Sequence, residues 1–454
     1  MIKGLAKIIA GKPSPALRYN TDFKNQNVLN KMRPKIIIFY TILILSFINC
    51  TSVQKNITTP KSETTGYYFP PQWDEQESVW LGWSLSKSVQ QLHLQMAKAV
   101  HPYVGITILS RSDSLLKIAF TQLHSAGIDT HRVKGYVHYI PNLFIRDAGP
   151  RFLKNKKGEL AIADFERNYY GYPKEFQISQ FSDKRGQIDN DIAKQMNLPI
   201  VSTAMVAEGG GIDVSSSMIM TFKETAIQRN PGKSIQEIER EYLRMYGKKK
   251  IIWLNRMPLM DKVTAGPKAG NYFGYGANGH IDEFARFVND STILITLIDP
   301  VEKDNDPVSK TDYEIMNENL EILKKAVDIN GKPFKIIPLP TPSYKWYAEE
   351  QILTDSIKNN GDGKALFKNF KVGDKFFWMN SVGYANFFVS NGIVLIAEYW
   401  KEGLPEKEKQ KDEEARRVIE QAFPGRKIIQ LNPMVLNRYG GGMHCATQQQ
   451  PKSL

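Results

Sequence analysis

Short apolar runs alternate with helical patterns from residue 67 onward, and this alternation constrains the fold more than any other feature of the sequence. Seven runs have the length and composition of strands, at 79–83, 105–109, 161–165, 200–206, 251–254, 292–298 and 393–399. Helical patterns fall between them at 89–100, 234–246, 313–327 and 414–422. No boundary rich in Pro, Gly or Ser divides the segment, so we predict one α/β domain over residues 67–454.

The stretch 234–246 carries the clearest helix signal. Ser234 and Glu237 have the spacing of a capping box, and apolar or aromatic residues then recur on one helical face. We therefore predict a helix that begins at Ser234. The charged run 401–414 predicts a solvated loop and the start of a further helix.

Charge and cysteine content limit the classes of function. The formal net charge is +13, but residues 1–49 hold eight Lys/Arg and one Asp, so about half of the excess lies there. The remaining chain is too weakly basic to indicate a nucleic-acid partner, and we expect none. With only Cys50 and Cys445, the chain has no disulfide framework and no cysteine-based zinc module.

The first fifty residues read as a leader. Basic residues around Met32 precede thirteen mostly apolar residues at 36–48, too few to span a bilayer but typical of a signal-peptide core. Met32 is a more natural start than Met1. The run ends at Cys50 and resembles a bacterial lipoprotein signal, which implies lipidation of Cys50. Alternatives are a short uncleaved anchor or a plain secretory signal. Residues 50–66 would form a flexible tether.

Two of the seven histidines have neighbours that suggest chemistry. His280 and Asp282 would point to the same side of an extended segment, because side chains alternate along a strand. His444 directly precedes Cys445, after the glycines at 440–442. A lone cysteine after a glycine turn is a candidate nucleophile when a histidine lies near it. His444 is predicted either to shape this turn or simply to pack.

Two further carboxylates stand beside glycine-rich turns. Asp147 follows an arginine and precedes Ala-Gly-Pro, and Glu208 precedes three glycines. Each alone is typical of a surface turn. Together with His280, Asp282 and Cys445, they form a set suited to a planar cation, which needs paired carboxylates around it.

A zinc site is the chemical alternative. His280, Asp282, His444 and Cys445 are all ligand types that zinc accepts, but their spacings match no common zinc motif. Such a site would also leave Asp147 and Glu208 unexplained. We therefore predict no metal.

The segments together resemble agmatine deiminase and the bacterial-type peptidylarginine deiminases of the guanidino-group-modifying superfamily. The resemblance covers nearly all of the chain after the leader, through the segments at 69–80, 146–150, 208–210, 230–239, 279–287 and 444–451. It implies a five-bladed α/β propeller (the pentein fold) as a single large domain. It also implies a deiminase catalytic domain over residues 67–454, with no cofactor.

The resemblance assigns roles to the matching residues. Cys445 would attack the guanidinium carbon and form a thiouronium intermediate, and His280 would serve as general acid and base. Asp147 and Asp282 would grip the guanidinium nitrogens, with Glu208 as an additional carboxylate. The chain departs from the agmatine pattern at Asn142 and Phe144, in the loop after Glu208 and at 442–443, where the far end of a substrate would be held.

The resulting hypothesis is a hydrolase held at the bacterial cell envelope by a lipid on Cys50, or else secreted or periplasmic. It converts agmatine to N-carbamoylputrescine and ammonia. One alternative is a protein-arginine deiminase that forms citrulline from an arginine side chain. Another is a lipoprotein that binds cationic ligands without turnover.

Overall fold

The computed structural model describes residues 65–139, 143–176 and 184–453. The leader, Met32, Cys50, most of the tether and Asn142 lie outside the described residues, so the predictions made for them stay predictions. Residues Thr64–Leu454 group as one unit by their contacts. None of the described helices combines the length and apolarity that crossing a membrane requires.

Twenty strands occur in the described residues. Their bounds are β1 Tyr67–Tyr68, β2 Gln76–Gly82, β3 Gly105–Ser110, β4 Val133–Val137, β5 Arg151–Asn155, β6 Leu160–Glu166, β7 Ile200–Val206, β8 Asp213–Val214, β9 Met218–Phe222, β10 Lys250–Leu254, β11 Tyr272–Phe273, β12 Ala285–Asn289, β13 Thr292–Leu297, β14 Lys335–Pro340, β15 Glu349–Ile352, β16 Lys375–Trp378, β17 Phe388–Ser390, β18 Ile393–Ala397, β19 Lys427–Leu431 and β20 Thr447–Pro451. All seven predicted strands are present.

Twelve α-helices accompany these strands in the described residues. Their bounds are α1 Lys87–Val100, α2 Asp113–Ser125, α3 Ile145–Ala148, α4 Gln187–Met196, α5 Lys223–Arg229, α6 Ile235–Tyr246, α7 Pro307–Lys325, α8 Tyr344–Tyr347, α9 Asp355–Asn359, α10 Gly363–Leu366, α11 Glu406–Ala422 and α12 Met434–Asn437. The α/β class predicted from the sequence is confirmed.

The helix boundaries test the local signals. Ser234 caps α6 with both hydrogen bonds of the capping box, as predicted. Helix α7 begins at Pro307, six residues before the predicted start, because Asp306 caps it and proline suits the first turn.

The charged run 401–414 contains the loop and the helix start that we predicted, but it is not solvated throughout. Helix α11 begins within it at Glu406, and three of its charged side chains are buried. Lys411 pairs with Glu408 and Glu302, and Asp412 accepts hydrogen bonds from the Tyr384 hydroxyl and from backbone N–H groups. Glu302 and Tyr384 come from other segments, so the run by itself did not indicate that these charges are buried.

Five of the six sheets in the described residues repeat one arrangement. In each, an antiparallel pair is extended by a parallel strand that follows the central strand in the chain: β5-β6-β7, β8-β9-β10, β12-β13-β14, β17-β18-β19 and β20-β2-β3. A helical crossover links the second and third strands each time, as parallel pairing requires. Strand β18 is buried along its whole length, as expected for a strand covered on both faces.

This repeat places the candidate residues in equivalent positions. Asp147, Glu208, Asp282 and Cys445 each lie two to five residues before the first strand of one such sheet, at β5, β8, β12 and β20. Asn386 holds the same position before β17. The loops that enter the five sheets therefore bring residues from across the chain to one place.

Candidate active site

Cys445 lies in the turn that leads into β20. Its side chain is 1% exposed. Asn386 Nδ2 donates to the sulfur at 3.1 Å, and Asn386 Oδ1 accepts from the backbone N–H of His444 at 2.8 Å. Two carboxylate oxygens face the sulfur, Glu283 Oε1 at 3.6 Å and Asp282 Oδ2 at 3.7 Å. One asparagine thus holds both the thiol and its turn.

The surroundings of Cys445 keep it protonated in the free protein. Burial raises the pKa of the Cys445 thiol, and the negative charges of Asp282, Glu283 and Asp147 raise it further, well above the ordinary value. A thiolate would form here only if a positive charge were placed beside it.

His280 lies at the entrance to β12, where Asp261 fixes its backbone. The carboxylate of Asp261 accepts from the N–H groups of Gly279 at 2.7 Å and His280 at 2.8 Å. The segment is not extended as predicted, because Ile281–Glu283 form a turn of 3₁₀ helix. His280 and Asp282 nevertheless meet at Gly210, as described below.

The His280 ring is completely buried between two carboxylates. Its Nδ1 lies 3.5 Å from Asp147 Oδ1 and its Nε2 lies 3.7 Å from Glu208 Oε2. Burial lowers the pKa of His280, but Asp147, Glu208 and Asp282 outweigh that effect and raise the pKa to about 9. His280 is therefore a cation at neutral pH and able to donate a proton.

Asp147 is held by two donors. The N–H of Gly210 donates to Oδ1 at 3.0 Å and the Tyr170 hydroxyl donates to Oδ2 at 3.2 Å. A Cβ atom at Gly210 would lie 2.5 Å from His280 Nδ1 and 2.9 Å from Asp282 Oδ2. Only glycine allows the backbone to approach these three side chains so closely.

Glu208 is present in the site but is not a free carboxylate. Arg229 Nε donates to both of its oxygens at 3.0 Å, and Arg229 Nη2 donates to the carbonyls of Ala277 and Asn278. Burial raises the pKa of Glu208, but Arg229 and His280 outweigh it and hold the pKa far below the usual range. Glu208 therefore holds Arg229, which tethers the His280 loop, and also faces the histidine.

His444 has a defined role in the hydrogen-bond network, which the sequence left open. Its Nδ1 lies 2.5 Å from Asp282 Oδ2 and its Nε2 lies 2.7 Å from Gln72 Nε2. Gln72 Oε1 accepts from Arg286 and Gln449, so the amide nitrogen of Gln72 must donate.

These contacts assign the tautomer of His444. With Gln72 donating to Nε2, the proton sits on Nδ1 and is donated to Asp282. Burial, together with Arg146 and Arg286, lowers the pKa of His444 well below its usual value, so the ring is neutral. His444 therefore orients Asp282 without adding charge.

The possible metal ligands differ from the zinc set considered above. In the described residues, Asp282, Glu283 and Cys445 place one ligand atom each within 4.8 Å of one another, and neither histidine joins them. The zinc set considered from the sequence is therefore not assembled around one point in the described residues.

The sequence model of the Porphyromonas-type peptidyl-arginine deiminase family matches residues 68–451. The chain belongs to this family. The resemblance read from the sequence motifs is thereby confirmed.

Relatives of this family member include an agmatine deiminase of Medicago truncatula, 26% identical over 412 residues that cover 85% of this chain and 96% of that protein. Among solved structures, the agmatine deiminase of Enterococcus faecalis superposes with a TM-score of 0.64 at 23% identity, covering 86% of this chain and 97% of that one. A substrate-bound agmatine deiminase of C. jejuni gives 0.62 at 20% identity, with coverage of 86% and 97%. The solved structures share the α/β fold.

Three residues of the site were missed in the sequence of this family member. Glu283 follows Asp282 directly, Asn386 precedes β17, and Arg229 ends α5. Asn386 stands before the first strand of its sheet, as Asp147, Glu208, Asp282 and Cys445 do in theirs. The repeat of five sheets would have indicated it, but the repeat was not recognised in the sequence. Nothing local distinguishes Arg229 from a surface arginine.

Proposed function

We propose that this protein hydrolyses the guanidinium group of agmatine, giving N-carbamoylputrescine and ammonia. The observation that carries the proposal is the meeting of a buried thiol, a cationic histidine and two carboxylates. Cys445 contacts Asp282, and His280, Asp282 and Asp147 all surround Gly210. The guanidinium is planar and cationic, and carboxylates bind it through paired hydrogen bonds.

Substrate binding prepares the nucleophile. Asp147 and Asp282 hold the guanidinium nitrogens, and the bound cation offsets the negative charges that raise the pKa of Cys445. The thiol can then lose its proton as it attacks. Glu208 takes a supporting part, because Arg229 already neutralises it.

The reaction then proceeds through proton transfers by His280 to and from the groups bound at the guanidinium carbon. The sulfur adds to the guanidinium carbon, and His280 gives a proton to the nitrogen that leaves as ammonia. Water attacks the thiouronium intermediate while His280 takes a proton from it, and the sulfur leaves. General acid–base help of this kind contributes about 10²–10⁴-fold to a rate. The steps use only side chains of this chain and water.

The test is a substrate panel scored for ammonia and ureido product. It contains agmatine, arginine, a peptide with an internal arginine and a peptide with a C-terminal arginine, each tested with wild type and Cys445→Ala. We expect turnover of agmatine by wild type alone. Equal turnover by the two proteins would refute the mechanism.

The same panel decides between agmatine and the alternatives. Relatives named agmatine deiminase support agmatine, whereas the family description names peptidyl-arginine. Preference for either peptide would replace agmatine by a protein-arginine substrate. Binding of agmatine in calorimetry without formation of product would indicate a lipoprotein that only binds cationic ligands. The presence of Cys445 argues against this alternative, because binding alone requires carboxylates but no nucleophile.

Two broader features belong to the same proposal. The fold is a five-bladed α/β propeller, supported by five sheets with one strand arrangement. The protein is held at the bacterial cell envelope by a lipid on Cys50, supported by the apolar run at 36–48. Release of Cys50→Ala from the membrane fraction tests the anchor, and an unchanged distribution would contradict it.

A further inference from the structure

Glu283 contacts the nucleophile directly. Its carboxylate is 5% exposed, and Oε1 lies 3.6 Å from Cys445 Sγ, within hydrogen-bonding range of a thiol donor. The same oxygen accepts from Asn386 Nδ2 at 2.9 Å. Asn386 also donates to the sulfur at 3.1 Å, so these three side chains form one connected group. Solvent does not compete for the thiol proton here.

The other carboxylate near the sulfur is already engaged. Asp282 Oδ2 lies 3.7 Å from the sulfur but accepts the short hydrogen bond from His444 Nδ1. In the proposed function the same carboxylate also binds the guanidinium. Each hydrogen bond to a carboxylate stabilises its charged form and makes it a weaker base. Glu283 accepts one such bond, from Asn386, whereas Asp282 would accept those of both His444 and the guanidinium, so Glu283 is the better acceptor of the thiol proton.

A small cavity borders Glu283. Residues lining it include Glu283, His280, Thr341 and Tyr344, and it has about 10 Å³ of room for the centre of a water, enough for one molecule. Glu283 Oε2 and Thr341 Oγ1 are buried and find no protein partner among the described residues. Two such oxygens suit one bridging water, which would hydrogen-bond Oε2 while Oε1 contacts the sulfur.

We propose, on the basis of the deiminase function above, that Glu283 is a further catalytic residue that accepts and returns the proton of Cys445. The proton passes from Sγ to Oε1, the S–H electron pair forms the sulfur–carbon bond, and a C=N electron pair moves onto nitrogen. After water has added, the sulfur–carbon bond breaks. The sulfur then recovers its proton from Glu283, so the cycle returns both groups to their starting state.

The charges around Glu283 fit this exchange. The titratable groups facing it are Asp282, Asp261, Asp147, Cys445, His280, Tyr344 and Tyr399. Burial and then Asp282 and Asp261 raise the pKa of Glu283 well above its usual value, which makes it a stronger base than an exposed carboxylate. A bound guanidinium lowers the pKa of both Glu283 and Cys445. In the substrate complex the two groups then share one proton, which can move between the sulfur and the carboxylate.

The experiment compares Glu283→Gln with wild type in two measurements. Glutamine keeps the shape and an oxygen for Asn386 but accepts no proton. We expect kcat for agmatine to fall about 10²-fold or more with KM little changed, the usual size of a general-base effect. We also expect the thiolate absorbance of Cys445, taken as the difference from a matching Cys445→Ala protein, to appear at lower pH, because one negative neighbour is gone.

A lower kcat together with a thiolate that forms at lower pH separates a catalytic role from structural damage, which would not shift the two measurements in this way. Glu302→Gln is the matched control, since Glu302 is 9% exposed and pairs with Lys407 and Lys411 away from the thiol. Glu283→Asp keeps a carboxylate and should recover part of kcat, so a general folding defect is distinguishable. Wild-type kcat in Glu283→Gln, or an unchanged thiolate titration, overturns the proposal.

Failure of the proposed function gives a different pattern. If wild type turns over no guanidino compound, the catalytic role of Glu283 falls with it. The thiolate titration needs no substrate, so a shift in Glu283→Gln would then locate the failure in the function and not in the Glu283–Cys445 contact.

Discussion

His280 gives the protein a stability that depends on pH, and the structure sets its size. The pKa rises from 6.5 to about 9 on folding, which corresponds to about 3 kcal/mol of preferential stabilisation of the protonated ring. Because the folded pKa is the higher one, this stability is fully present below about pH 6.5. It is lost as the pH rises through about 9.

The perturbation is His280→Gln, measured by urea unfolding between pH 6 and pH 10. The substitution carries its own constant cost, so the informative quantity is the change with pH in the stability difference between wild type and variant. We expect wild type to lose about 3 kcal/mol relative to the variant across this range. Titrations elsewhere in the protein cancel in the difference.

Asp282 titrates near His280, with burial raising its pKa to about 7, so it needs its own control. Repeating the comparison in an Asp282→Asn background removes this coupled group. A stability difference that stays flat between pH 6 and pH 10 would show that His280 is not held as a cation by Asp147 and Glu208. Both the geometry and the acid role assigned to the ring would then be wrong.

Three further outcomes follow from the contacts around the site. His444→Leu removes the donor to Asp282 and should lower kcat about tenfold or more, while His444→Asn retains an N–H and should recover part of it; equal kcat values would contradict the positioning role. Gly210→Ala should abolish turnover with little change in circular dichroism, and normal kinetics would exclude the close approach. Arg229→Met leaves Glu208 buried and unpaired, so the free energy of unfolding measured in denaturant should fall by about 3–5 kcal/mol. Replacing Glu208 by leucine in the same protein should remove most of this loss.

Local patterns predicted much of the fold because they depend on neighbours along the chain. Strand lengths, the capping box at Ser234 and the glycine turns are decided within a few residues, and the structure contains each of them. Two helix starts were missed, and that of α7 is set by a local signal, the Asp306 cap. Helix α11 begins eight residues before its predicted start because Glu302 and Tyr384 bury charges that look exposed in sequence.

The candidate site shows the same division. Motifs named Asp147, Glu208, His280, Asp282 and Cys445, since each stands beside a distinctive turn. They did not indicate that Arg229 neutralises Glu208, that His444 orients Asp282, or that Glu283 contacts the thiol.

By itself the sequence determined which residue types stand at the ends of its strands, and hence the kind of chemistry available. Only the tertiary structure decided which of those groups touch and what charge each one carries. The physical reason is that hydrogen bonds and pKa values depend on distance and burial. The fold brings together side chains that lie far apart in the chain, such as Gln72 and His444, which are 372 residues apart.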